Sequence, residues 1–228
     1  MALPPPIQSY FVPLRGSDLV KPGSAEGDFE IVSGSSSTDD SPVRSIISIA
    51  VAAPGTVIYY DHWEDGYELD LTDPQQSTTQ IWGDGDVTNG VAPDTGGTDV
   101  FQGGESFVLQ STVPVNRTTA DIYFDGSDQI SATFPIAVTR AAFPTQTGSV
   151  LAGATEALDT DSFGDHFVVP FGVDTNSNTN AFQVASVHIM ASAANTPIYV
   201  NGTLVATLAE PGDTYVLTRA EQGDVIRT

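Results

Sequence analysis

The densest run of chemically capable side chains in this sequence is Asp61-His62-Trp63-Glu64-Asp65-Gly66-Tyr67-Glu68. Carboxylates are hard oxygen ligands, so Asp61, Glu64 and Asp65 are expected to ligate a cation. The rings of His62, Trp63 and Tyr67, with Trp82 further along, combine flat faces and polar edges, and they are expected to form a platform for a glycan or polymer. The competing reading of the same residues is a plain hairpin loop with a solvated acidic tip and Trp63 folded onto a sheet. Two further acidic runs lie downstream, Asp84-Gly85-Asp86 with Asn89-Gly90, and Asp159-Thr160-Asp161-Ser162-Phe163-Gly164-Asp165. The second begins like an EF-hand loop but has Phe163 at the fifth position and no closing glutamate. Calcium, which takes six to eight oxygens, is the cofactor expected at Asp84, Asp86, Asp159, Asp161 and Asp165.

Catalysis is the weakest reading of these residues. Asp61, Glu64 and Asp65 have the residue types of a glycosidase pair, but a scissile bond is flanked by carboxylates from separate elements, and these three share one loop. His62, His166 and His188 lack zinc-site spacing, there is no cysteine, and no serine lies in a nucleophile elbow. A carbohydrate-active enzyme, or its carbohydrate-binding module, is the alternative to a non-enzymatic binding protein.

The formal charge is −22, with Lys21 the single lysine. Such a chain repels phosphate backbones and anionic lipid, so neither nucleic acid nor a membrane surface is an expected partner. No apolar run approaches the roughly 18 residues of a membrane span. An acidic, cysteine-free β composition with Thr-, Ser- and Asn-rich loops suits an extracellular or cell-surface protein, although no signal peptide opens the sequence.

The elements that position these loops belong to an internal repeat. In the first copy, Phe11-Val12-Pro13-Leu14 leads to Ile47-Ser48-Ile49-Ala50-Val51, Thr56-Val57-Ile58-Tyr59-Tyr60-Asp61, Gly104-Glu105-Ser106-Phe107-Val108-Leu109 and Asp128-Gln129-Ile130. In the second, Val168-Val169-Pro170-Phe171 leads to Val187-His188-Ile189-Met190-Ala191, Thr196-Pro197-Ile198-Tyr199-Val200-Asn201, Gly212-Asp213-Thr214-Tyr215-Val216-Leu217 and Asp224-Val225-Ile226. Asp61 then matches Asn201 at an offset of 140 and Gly104 matches Gly212 at 108, so the first copy carries 32 extra residues between these points. Where the second copy has Asn201-Gly202, a type I′ hairpin signal, the first has the acidic aromatic run. No Lys or Arg occurs between Arg44 and Arg117, while eleven acids lie from Asp61 to Glu105.

Read together, Gly212-Asp213-Thr214-Tyr215-Val216-Leu217, Asp224-Val225-Ile226 and Pro135-Ile136-Ala137-Val138 resemble the repeating unit of the IgG Fc-binding protein N-terminal domain family. Related units occur in large bacterial secreted and surface proteins. The resemblance implies an extracellular adhesive or matrix role. It carries over no catalytic residue and implies no immunoglobulin binding.

The expected fold is all-β and mainly antiparallel, with two sandwich-like repeat units packed together; a propeller-like set of four-stranded units is the alternative. The expected divisions are an N-terminal strand and polar loop over 1–44, a first unit over 45–143, a connector over 144–165 and a second unit over 166–228. No helix is expected, residues 151–158 being the best candidate for a short one. The first copy runs on into Phe134-Pro135-Ile136-Ala137-Val138-Thr139, which the second copy lacks. An open sheet edge is therefore expected there, closed by self-association or by the rest of a larger chain. Ile7 to Leu14 makes a better strand donor than the proline-rich Leu3-Pro4-Pro5-Pro6-Ile7. The expected function is an extracellular structural or adhesive module whose acidic aromatic loops bind calcium or glycan.

Overall fold

The computed structural model describes residues 3–13, 42–93, 96–114, 118–145, 153–174 and 186–228. Leu14 and most of the polar loop expected within residues 1–44 lie outside them. Among the described residues the protein is all-β, with four antiparallel sheets, none closed into a barrel. The chain divides into two compact units, the first holding the described residues up to Ser162 and the second those from Phe163 onward.

The first unit is a sandwich. One sheet has the order β1 (Gln8–Phe11), β6 (Gln129–Ala132), β3 (Ile58–Asp61), β4 (Gln80–Trp82). The other has the order β5 (Ser106–Val113), β2 (Val43–Val51), β7 (Ile136–Pro144), β8 (Gly153–Ala157). Period-two alternation decides which side chains meet between them: Ile47, Ile49 and Val51 of β2 and Phe107 and Leu109 of β5 face Ile58, Tyr60, Trp82 and Ile130. β3 is buried on both faces, as its near-continuous apolar sequence requires. On its outer side Val57, Tyr59 and Ile81 are covered by Leu3 and Leu71.

The second unit repeats the first sheet strand for strand. Its order is β12 (Thr203–Leu208), β11 (Thr196–Val200), β14 (Val225–Arg227), β9 (His166–Val168), the counterpart of β4-β3-β6-β1. Individual hydrogen bonds recur too. Val12 N–H donates to Asp128 O and Ser127 N–H to Val12 O in the first unit; Val169 N–H donates to Asp224 O and Gly223 N–H to Val169 O in the second. The Gly104 N–H bond to Val51 O is likewise matched by Gly212 N–H to Ala191 O. At the hairpin tip, Asn201 and Gly202 have φ of +51° and +81°, the left-handed pair of a type I′ turn. β10 (Val187–Met190) and β13 (Thr214–Leu217), which answer to β2 and β5, form a two-stranded sheet.

Three expectations change. The connector expected over 144–165 is mostly part of the first unit, because β8 pairs with β7 from Val138↔Ala157 to Ala142↔Gly153. The same strand replaces the short helix considered over 151–158: ladder pairing outweighs the weak helical preference of Ala and Glu there. The segment favoured as a strand donor is already used within its own chain, since β1 pairs with β6 from Gln8↔Ala132 to Phe11↔Gln129.

Candidate functional site

β3 ends at Asp61, and beyond it the first unit departs from the second. In place of a two-residue turn, residues 62–79 leave the sheet, make one turn of 3-10 helix at Trp63–Asp65 and return to β4. Continuing the alternation of β3, Tyr60 and His62 face the interior while Asp61 lies beneath the inserted loop.

On the inner side His62, Glu64 and Asp128 bring one ligand atom each to within 4.8 Å of one another; His62 and Asp128 are buried and Glu64 sits at the margin of the interior, 8% exposed. Asp128 Oδ2 accepts from Tyr60 OH and from Asp125 N–H (3.0 Å), and lies 3.6 Å from His62 Nδ1. His62 Nδ1 is 3.1 Å from the Tyr123 carbonyl, and Tyr123 N–H donates to Glu64 Oε1 at 3.2 Å. Burial disfavours the imidazolium, yet Asp128, Glu64 and the Tyr123 carbonyl outweigh it and hold His62 above its ordinary value. Burial, and then the Asp128 charge, pushes the Tyr60 phenol well up.

Arg140 reaches the same interior from β7. It sits at an inward position of the Ile136-Val138-Arg140-Ala142 alternation and is fully buried. Its guanidinium donates to Ser45 Oγ at 2.6 Å and to Ala141 O at 3.0 Å. Desolvation lowers its pKa against the opposing field of Asp125, Tyr60 and Asp128. The result is a buried polar network in which, among the described residues, carboxylates outnumber the one permanent cation.

The outer side of the loop is held by carboxylates acting as acceptors. Asp61 takes Glu68 N–H at 2.8 Å and Thr79 Oγ1–H at 3.0 Å; Glu68 takes Gln76 N–H; and Asp65 takes the Thr78 hydroxyl at 2.7 Å. Burial, with Glu68 and Asp65 nearby, raises Asp61 to about 6 in spite of these bonds. The unfolded chain titrates near 3.9, so between these values the folded state holds the extra proton. Asp61's contribution to stability is therefore fully present below about pH 4 and lost as pH rises through about 6. The stability difference between wild type and Asp61→Asn, followed by urea denaturation, should change between pH 4 and 6 and be flat above 7.

The other expected ligands and platform residues are spread apart. Trp82 is fully buried among Tyr60, Phe107 and Phe124, so it is a core residue with no face for a polymer; its inward position on β4 decides this. Trp63 and Tyr67 are half-buried, with Trp63 Nε1–H on Asp125 (3.3 Å) and Tyr67 OH on Ser127 O (2.7 Å). Asp84 accepts Asp86 N–H and the Asn89 amide, while Asp86 caps Thr88, which lowers its pKa. Asp99 fills the concave backbone of the same loop, taking N–H groups from Gly83, Asp84 and Gly85 at 2.7–3.0 Å. Asp159 and Asp161 lie at a 3-10 turn in the first unit, where Asp159 accepts Asp161 N–H, whereas Asp165 belongs to the second unit. Among the described residues, the three-ligand grouping is His62, Glu64 and Asp128. Two of its ligands fall within the acidic aromatic run; Asp128 was legible only as a member of a strand pattern, and Arg140 lies one residue beyond the pattern that ended at Thr139.

No family model, curated protein or solved structure matches this chain.

Proposed function

We propose that the chain is a non-catalytic structural or adhesive module of an extracellular or cell-surface assembly, in which a β unit used twice displays a stiffened acidic loop face on its first copy. The observation that carries this reading is how the insertion is held. Asp61, Asp65, Glu68, Asp84, Asp86 and Asp99 all accept hydrogen bonds from nearby loop backbone or side chains, so an acidic segment keeps a fixed surface without a large apolar core of its own. A pre-ordered loop loses less entropy on binding. Leu69 stands fully exposed on this loop, which also carries the partly exposed Trp63 and Tyr67, and the loop's charge favours neutral or cationic partners. The extracellular placement rests on composition and on the resemblance of the repeat motif.

The partly exposed Trp63 and Tyr67 also favour the second reading, a carbohydrate-binding module. Calorimetry with a neutral glycan panel, with and without calcium, and sedimentation of the chain alone test both. Binding or self-association that weakens at least tenfold in a Trp63→Ala, Leu69→Ser double variant is expected. Neither heat nor association in the wild type would defeat the proposal.

A further inference from the structure

The two units provide an internal control on the buried cluster. Asp224 is the counterpart of Asp128: each precedes the matching strand, and each makes the same backbone bond, to Val169 or to Val12. In the second unit both oxygens of Asp224 are satisfied, Oδ2 by Glu221 N–H and Oδ1 by the Asn201 side-chain amide, both at 2.8 Å. In the first unit Oδ2 of Asp128 is used in the same way by Asp125 N–H, but Oδ1 is buried with no hydrogen-bond partner. The strand register explains the difference. Val200 pairs with Ile226 as Tyr60 pairs with Ile130, which places Asp61 where the second unit has Asn201. Asp61 is an acceptor, and its carboxylate is engaged by Glu68 and Thr79. The exchange thus removes the donor that would satisfy Asp128, and the inserted residues bring a nitrogen ligand and a further carboxylate beside it. A buried carboxylate oxygen left without a donor carries an uncompensated desolvation penalty, which a bound cation removes.

From this we infer that the first unit binds one first-row divalent transition cation through His62, Glu64 and Asp128. Imidazole with carboxylates suits zinc, manganese or iron better than calcium, which takes oxygens alone. Two ligands about 2.2 Å from one such ion are at most about 4.4 Å apart, so the observed grouping within 4.8 Å needs only a small closure. His62 Nδ1, 3.6 Å from Asp128 Oδ2, is the ring nitrogen turned toward that carboxylate, and on binding it would exchange its contact with the Tyr123 carbonyl for the ion, the proton passing to the other ring nitrogen. Charge agrees as well. Asp125 and Asp128 act on Arg140, the one permanent cation in this network among the described residues; counting Glu64 as a third carboxylate, a divalent ion beside neutral His62 brings the group to formal neutrality. The ion would join the end of β3 and the 3-10 turn to the approach of β6, stapling segments more than 60 residues apart. This inference goes beyond the adhesive reading and does not depend on it.

The test uses the full chain, stripped with chelator and returned to Zn²⁺, Mn²⁺, Ca²⁺ or Mg²⁺ separately. At about a hundredfold excess over Kd, Zn²⁺ or Mn²⁺ should raise Tm by about 5–10 °C, with one equivalent retained by mass spectrometry, and Ca²⁺ should do far less. Glu64→Gln and Asp128→Asn should each weaken retention at least tenfold. Should neither variant fold, X-ray absorption of the zinc-loaded wild type decides: a shell with one imidazole supports the site, and an all-oxygen shell overturns it. No Tm rise with Zn²⁺ or Mn²⁺, an equal rise with Ca²⁺, or retention undiminished in both folded variants also overturns it.

Discussion

Replacing Arg140 with Met should destabilise the first unit by about 3–5 kcal/mol, the loss expected when one member of a buried ionic group is removed. Met fills similar volume, so packing alone predicts little change. What changes is the field: Asp125 and Asp128 would remain in the interior without the guanidinium that faces them, and Ser45 Oγ would lose its donor. Urea denaturation followed by tryptophan fluorescence is the suitable measurement, because Trp63 and Trp82 both lie in the first unit and report on it alone. A loss under 1 kcal/mol would show that the carboxylates are already neutral or balanced by another cation. Adding transition metal to the variant then becomes informative, since a bound divalent ion should recover part of the loss.

Gly83→Ala should be comparably severe for a different reason. A β-carbon there would lie 2.3 Å from the Thr56 carbonyl oxygen and 2.6 Å from the Phe101 ring, on a backbone with φ of +88°. Neither neighbour is the free end of a flexible chain. Left-handed strain of about 1–2 kcal/mol and overpacking of about 1–3 kcal/mol should together cost about 2–5 kcal/mol. Gly85 has the same φ and open space around it, so Gly85→Ala should cost only the strain. Thermal denaturation of the pair separates conformation from crowding, and equal losses would refute the close approach at Gly83.

The sheet framework was legible because strands state their period locally. Ile47, Ile49 and Val51 alternate with small polar residues, and Asn201-Gly202 names its own turn. The repeat then supplied the matching of Asp61 to Asn201, which the strand register reproduces. The buried cluster was only half legible. His62 and Glu64 stood out as chemistry, but Asp128 lies 66 residues beyond His62, and only sheet order brings them together. Arg140 left a signal that local reading undervalues, a charge at an inward position of an otherwise apolar alternation. Trp82 misled in the opposite direction, since an aromatic beside acidic loop residues looks exposed until its strand is placed. The carboxylates of Asp84 and Asp86 looked available for calcium because a sequence does not show how much of an acid's bonding capacity its own turn consumes.

The two-residue turn at Asn201-Gly202 and the excursion over residues 62–79 occupy the same corner of the same four-stranded sheet. One architecture therefore closes that corner with either two residues or eighteen, and the entropic difference for a flexible loop is only on the order of 2 kcal/mol. The corner is thus a natural grafting port. A foreign segment spliced between Val200 and Thr203 would leave the strand pairings on either side unchanged, and it would meet the requirement that the first unit already meets, a set of internal acceptors to hold it in place.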